Sequence, residues 1–307
     1  MSAFRRPELP DIHCDILILG GGFAGLNLAK ELASINKTIY VLGSSYDSQV
    51  AKGGVIEGSE KIPSSEVGLK YMEQLMEEVK ALGVILKTSL ATSVNFDQKP
   101  MMISTRTQKF FTEHLIISTG AKQKRFGFPG ESEFYHKGIS DCAVCDANLF
   151  KERAVAIIGN HRYTIKSACY LQGLVGEVSL LWLDPEMEEG LSNKLGNFPS
   201  DHVYFGVESL EVFGSEYVEG VRFNNEEGSH EIYVEAVFVE GEPDPNSKLF
   251  VDVLNLGAHD EIVVDENFQT SLAQVYALGD VTGILSGVDE VLSQVSRLAK
   301  ILVERLG

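Results

Sequence analysis

Apolar residues along the chain fall into two kinds of block. Short β-branched runs alternate with longer stretches whose apolar positions recur at helical spacing. Cys14–Leu19 is an expected buried strand, and Leu26–Ile35 the helix that follows it. Thr38–Leu42 is the next strand. Glu66–Leu82 places Val67, Met72, Leu75, Met76, Val79 and Leu82 at helical spacing, which predicts an amphipathic helix with the two methionines as core filler. Strands are expected over Gly83–Val94, Met101–Thr107 and Phe110–Ser118. A second series begins with strand Arg153–Ile158, helix Ile165–Leu174 and strand Glu177–Leu183. His202–Phe213, Tyr217–Phe223 and Glu231–Val239 alternate apolar and polar residues as half-buried strands do. Late strands are expected at Glu261–Val264 and Gln269–Asp280, and a closing helix at Glu290–Leu306. The strand–turn–helix openings at Ile16 and Val155 form a weak repeat. This order predicts an α/β chain of two related Rossmann-like, three-layer dinucleotide-binding domains, the second inserted into the first.

The first opening carries Gly20-Gly21-Gly22-Phe23-Ala24-Gly25. Between a strand and a helix, Gly20, Gly22 and Gly25 have separate uses. They make the turn, bare the backbone to a pyrophosphate and pack helix on strand. The acidic residue expected after the second strand, for a ribose, is replaced by Gly43-Ser44-Ser45, and a second glycine pair with Gly54 follows in a polar loop. Thr119-Gly120 ends another strand. Gly279-Asp280 puts a carboxylate where it can bond a sugar-alcohol hydroxyl. The second opening reads Gly159-Asn160-His161-Arg162-Tyr163-Thr164, with side chains where a pyrophosphate needs bare backbone. Acidic Asp184–Glu189 follows the next strand and would repel a 2′-phosphate.

Ser140–Asp146 reads Ser-Asp-Cys-Ala-Val-Cys-Asp. Thiols three apart can close a small disulfide, the thiolate is the attacking species, and an adjacent acid can exchange a proton with a departing thiol. A zinc site would need further ligands. Cys14 and Cys169 stand alone and the seven histidines include no His-x3-5-His pair, so no metal is expected. Two inert buried thiols are the other alternative.

Among 307 residues the formal net charge is −18, which argues against nucleic acid and anionic membranes as partners. No apolar run approaches the ~18 residues of a membrane span, and the first ten residues lack a secretory pattern. With only four cysteines, the expectation is a reducing, cytoplasmic location.

The combination resembles the low-molecular-weight thioredoxin reductases over nearly the whole chain. The motifs that carry the likeness are Gly20-x-Gly22-x-x-Gly25, Thr119-Gly120, Cys142-Ala143-Val144-Cys145-Asp146 and Gly279-Asp280. The resemblance implies a discontinuous FAD domain, residues 1–125 and 250–307, and a second domain, 126–249, bearing the redox pair. By motif match Cys142, Cys145 and Asp146 are catalytic. Gly20, Gly22, Phe23, Ala24, Gly25, Gly43, Gly54, Thr119, Gly120, Gly279, Asp280 and Val291 are expected to bind FAD. In the family the second cysteine meets the flavin, a thioredoxin-like protein accepts the electrons, and the protein is usually a homodimer. The family's NADPH turn and its 2′-phosphate arginines are absent here, and Asp289-Glu290-Val291 replaces Arg-Gln-Ala. This is closest to the pyridine-nucleotide-independent branch, the ferredoxin-linked and diflavin-linked enzymes. It counts against NADPH, leaves room for a second FAD, and points to ferredoxin as a donor, with Lys122, Lys124 and Arg125 as the docking candidates. An NAD(P)H-using enzyme with an unorthodox site and a non-catalytic FAD-binding redox sensor stand as alternatives.

Overall fold

The computed structural model describes residues 9–46, 48–52, 56, 59–63, 66–141, 143–283 and 287–307. It divides into two compact units, Met1–Lys122 with Asp244–Gly307, and Gln123–Pro243. The divisions therefore fall at 122/123 and 243/244, against the expected 125/126 and 249/250.

In the first unit, strand Ile12–Leu19 lies parallel to Ile39–Leu42 on one side and Lys109–Ile117 on the other. Ile85–Lys87 extends the first side and Val275–Ala277 joins Lys109–Ile117, both in parallel. Met101–Thr105 and Ala91–Asn95 add an antiparallel extension. Both faces are buried. Ile16 and Ile18 pack with helices Phe23–Leu32, Gly68–Ala81 and Val288–Leu306, while Leu17 and Leu19 pack with Phe110, Phe250 and Leu254. Burial on both sides is why Ile16–Leu19 is a continuous apolar run rather than an alternating one.

The second unit repeats the plan. Its parallel sheet runs Val203–Tyr204, Glu177–Trp182, Ala154–Gly159, Ala236–Val239, Ile139–Ser140. Helix Arg162–Gln172 covers one face with Ile165, Ala168 and Leu171. An antiparallel sheet of Glu208–Gly214, Val218–Asn225 and Gly228–Tyr233 covers the other.

Five expected strands come out differently. His202–Phe213 is two strands, Val203–Tyr204 in the parallel sheet and Glu208–Gly214 in the antiparallel one, and Gln269–Asp280 shortens to Val275–Ala277. Gly83–Val94 is two strands, Ile85–Lys87 and Ala91–Asn95, on opposite sides of the first sheet. Glu231–Val239 breaks at Val234-Glu235, its halves belonging to different sheets of the second unit. Glu261–Val264 forms no strand, only a bridge between Leu256 and Ile262. Among the described residues no helix is long and apolar enough to cross a membrane.

Candidate active site

In an open parallel sheet a ligand sits outside the carboxyl ends of the strands, where the strand order reverses. In the first unit that point lies between Ile12–Leu19 and Lys109–Ile117. Gly20 leaves the first of these with φ +115°, and an added Cβ there would lie 2.1 Å from the Ser118 carbonyl oxygen. The turn is tied down from the other strand, because the Ser118 hydroxyl donates to the Leu19 and Gly20 carbonyls at 3.2 and 3.1 Å. A Cβ on Gly25 would stand 2.0 Å from the Gly20 carbonyl, so helix and strand meet backbone to backbone. Gly22 differs: among the described residues nothing lies closer to its added Cβ than 3.5 Å, so none of them crowds the helix N-terminus there.

The other expected FAD residues gather around this turn unevenly. Gly43 abuts it, its added Cβ 2.7 Å from the Gly21 amide nitrogen. The added Cβ of Gly279 would touch Ala24 at 3.4 Å, so the Gly279-Asp280 corner reaches the start of the same helix. Phe23 and Val291 are buried in the first core cluster instead. Thr119 is spent on the chain itself: its hydroxyl donates to the Asn246 carbonyl at 3.0 Å and its carbonyl accepts from Asn246 Nδ2 at 2.9 Å, while Gly120 accepts from the Asn246 amide. Gly54 lies outside the described residues. Sequence reasoning missed Ser118, Asn246 and Gln294, the last of which accepts the Gly279 amide at 3.1 Å and fixes that corner. These are long-range contacts with no local pattern.

The second unit's switch point lies between Ala154–Gly159 and Ala236–Val239, and side chains of the segment that opens helix Arg162–Gln172 bond to their neighbours there. Thr164 is fully buried; its hydroxyl donates to the Glu240 carbonyl at 2.8 Å and accepts the His161 amide at 3.2 Å. Asn160 donates to Asp184 at 3.2 Å. An added Cβ on Gly159 would lie 2.2 Å from the Glu240 carbonyl.

Close by, Ala143–Asp146 forms one helical turn that contains Cys145 and Asp146. Cys142 lies outside the described residues. Ser140 donates to Asp146 at 2.7 Å. Before the turn, Tyr135 donates to Asp141 at 2.7 Å, and the Arg125 guanidinium lies 4.3 Å over the Tyr135 ring. Burial, then the bond to Asp141, pushes the Tyr135 hydroxyl up to about 12. Glu240 was read only as part of a turn, yet it is a buried carboxylate that accepts the Ala143 amide at 3.2 Å and the Ser167 hydroxyl at 3.1 Å. Its burial outweighs those bonds and raises it to about 7. Cys14, by contrast, is driven to about 11 by burial, an inert thiol. No group of three or more His, Cys, Asp or Glu among the described residues could hold a metal ion.

Two parallel-sheet units, one with a bare glycine turn and the other with a Cys-x-x-Cys turn, define a dinucleotide-fold oxidoreductase. A family model described as pyridine nucleotide-disulphide oxidoreductase matches residues 14–299, and the chain belongs to that family. It is 30% identical to the thioredoxin reductase of Ureaplasma parvum serovar 3 (strain ATCC 700970) over 281 residues, 87% of this chain and 88% of that protein. It is also 30% identical to the NADH dehydrogenase of Bacillus subtilis (strain 168) over 274 residues, 87% of this chain but 53% of that protein, so it spans about half of that relative. In structure it superposes on T. acidophilum thioredoxin reductase with a TM-score of 0.74 at 24% identity, covering 96% of this chain and 99% of that one, a likeness of fold. The protein is thus an enzyme of the flavin-dependent disulfide oxidoreductase kind, similar to thioredoxin reductases. FAD, the cofactor the family implies, fits the first unit: the Gly22 backbone is open at a helix N-terminus, as a pyrophosphate requires.

Proposed function

We propose that the protein reduces a thioredoxin-like partner through Cys142 and Cys145, drawing electrons from FAD that is reduced by a donor other than NADPH. Bound FAD supplies the two electrons that open the Cys142–Cys145 disulfide. The residues then act in sequence. The Cys142 thiolate attacks one sulfur of the partner's disulfide, forming a mixed disulfide and releasing a partner thiolate. Cys145 attacks the Cys142 sulfur, frees the second partner thiolate and closes the Cys142–Cys145 bond. Asp146 passes the proton that Cys145 gives up to one departing thiolate and solvent protonates the other, so the partner leaves as a dithiol and the pair is left oxidised.

The observation that supports this donor reading is the second unit's opening, which bears side chains in place of a bare glycine turn. Thr164 bonds the Glu240 carbonyl and, separately, Asn160 bonds Asp184, so side chains stand near where a nicotinamide dinucleotide would need open backbone. Ferredoxin is the proposed donor. The exposed Lys122 and Lys124 are candidates for docking it, while Arg125 is engaged over Tyr135. A second reading, NADH as donor, draws on Asp184, which follows the strand where a ribose-binding acid falls, and on the relative named NADH dehydrogenase.

Anaerobic titration of the flavin with NADPH, NADH and reduced ferredoxin in turn tests these readings. Bleaching by ferredoxin alone is expected. Rapid stoichiometric bleaching by NADPH would overturn the donor assignment, and by NADH would select the second reading. FAD counted per chain in the same preparation tests for a second flavin. Loss of disulfide reduction in Cys142→Ser and in Cys145→Ser is expected; wild-type rates there would sink the thiol scheme.

A further inference from the structure

Helix Val288–Leu306 buries one stripe, Val291, Gln294, Val295, Leu298, Ala299 and Leu302, in which only Gln294 is polar; it is 7% exposed. An amide in an apolar stripe costs free energy unless it is bonded. Gln294 Oε1 accepts the Gly279 amide at 3.1 Å. The Gly279 carbonyl is held as well, by the Thr282 amide at 2.9 Å and the Thr282 hydroxyl at 2.8 Å. Leu278 donates to the Ile117 carbonyl at 3.0 Å, so the corner after strand Val275–Ala277 is bonded on both sides of a residue at φ +77°. The helix that presents Gln294 is itself anchored. In its first turn Asp289 accepts the Ser59 hydroxyl and the Glu60 amide. Ile62, whose amide donates to Ser59, packs in the same core cluster as Val291 and Val295. Asp289 stands where the resembled family has arginine, so that departure has a structural use in this chain.

We propose that Gln294 is a positioning residue for FAD: by bonding the Gly279 amide it holds the Gly279-Asp280 corner in the geometry that receives the sugar-alcohol chain of the flavin. The inference rests on FAD occupying the first unit. The corner lies against the start of helix Phe23–Leu32, an added Cβ on Gly279 falling 3.4 Å from Ala24 Cβ. That helix N-terminus, with its open Gly22 backbone, fits a pyrophosphate. In FAD the sugar-alcohol chain is bonded directly to the pyrophosphate, so a corner beside the one is placed to meet the other. Half-buried Asp280 can accept from the hydroxyls of that chain. Without an acceptor at position 294 the Gly279 amide either stays buried and unpaired or turns to another partner. Turning is the cheaper course, and it rotates the peptide that leads into Asp280. Binding must then undo the turn, so only a fraction of the free protein is competent and the affinity falls by that fraction. The ADP half of FAD carries the pyrophosphate but no sugar alcohol, so its binding does not depend on Gln294.

The test is displacement of FAD from the holoprotein by ADP, with released flavin read by its fluorescence; dilution of the same holoprotein gives the Kd for FAD. Gln294→Met keeps the length of the side chain and removes the acceptor. It should raise the Kd for FAD on the order of tenfold. The ADP concentration that releases half of the flavin should fall by the same factor, because FAD is weakened and ADP is not. Gln294→Glu keeps an oxygen for the Gly279 amide and should match the wild type in both readings. A general loosening of the fold would weaken FAD and ADP together and leave the midpoint unmoved, and that result would overturn the proposal. So would an unchanged Kd in Gln294→Met, or a Gln294→Glu as weak as Gln294→Met. If circular dichroism shows that Gln294→Met does not fold, Gln294→Ala removes the same oxygen with no demand on space and carries the same expectation. A wild-type chain that holds no FAD sinks the cofactor reading itself, whereas FAD held equally by wild type and variants sinks only the role of Gln294.

Discussion

In Gly25→Ala the added methyl would lie 2.0 Å from the Gly20 carbonyl oxygen and 2.6 Å from Ser118 Oγ, where ordinary contact begins near 3.4 Å. Helix Phe23–Leu32 would have to retreat from its strand by more than an ångström, and Leu26, Leu28 and Leu32, all fully buried, would move with it. Overpacking of that kind costs about 1–3 kcal/mol, occasionally more. Alanine's advantage within a helix, about 1 kcal/mol, offsets part of it. With an overlap of more than an ångström the cost falls at the upper end, so a net loss of about 2 kcal/mol is expected, roughly thirtyfold in the folding equilibrium. Gly22→Ala is the contrasting change. Among the described residues its methyl meets nothing nearer than Ser48 Cβ at 3.5 Å, and its φ of −79° suits alanine, so the cost is the weaker N-cap, under about 1 kcal/mol. The same methyl stands where a pyrophosphate must approach. Urea unfolding of flavin-stripped protein, followed by circular dichroism, reads the first effect, and FAD per chain after gel filtration reads the second. Gly25→Ala should lose stability and Gly22→Ala should keep its fold but lose FAD. A Gly22→Ala that holds a full complement of FAD, or a Gly25→Ala as stable as wild type, would refute this division of roles.

Thr164→Val removes two hydrogen bonds at a fully buried position and should lower stability by about 2–4 kcal/mol in urea; a loss below about 1 kcal/mol would mean that the turn adapts at little cost. Glu240 makes stability depend on pH. Its folded pKa, about 7, lies above the ordinary 4.5, so between those values the folded state binds more protons and stability falls as pH rises. The span is worth about 3 kcal/mol, and Glu240→Gln should flatten that decline in urea titrations from pH 4.5 to 8. Cys14, held at about 11 by burial, should resist iodoacetamide at pH 8 until the protein unfolds; labelling that precedes unfolding would contradict its burial.

Local pattern made the paired openings legible because Ile16–Leu19 and Val155–Ile158 are buried on both sheet faces, which writes a continuous apolar run into the sequence. It did not reveal where a strand changes partner. Gly83–Val94 and Glu231–Val239 keep strand-like alternation through a break, and nothing at Val234-Glu235 says that Gly228–Tyr233 pairs antiparallel while Ala236–Val239 joins the parallel sheet. The glycine turn was legible because its steric demands are local. Ser118 and Gln294, which hold that turn and the Gly279 corner, sit 98 and 15 residues from the groups they bind. Glu240 was hidden for a stronger reason. In Glu240–Pro245 the charges and prolines look like a solvated turn, and burial of one of them depends on Ala143 and Ser167, 97 and 73 residues away.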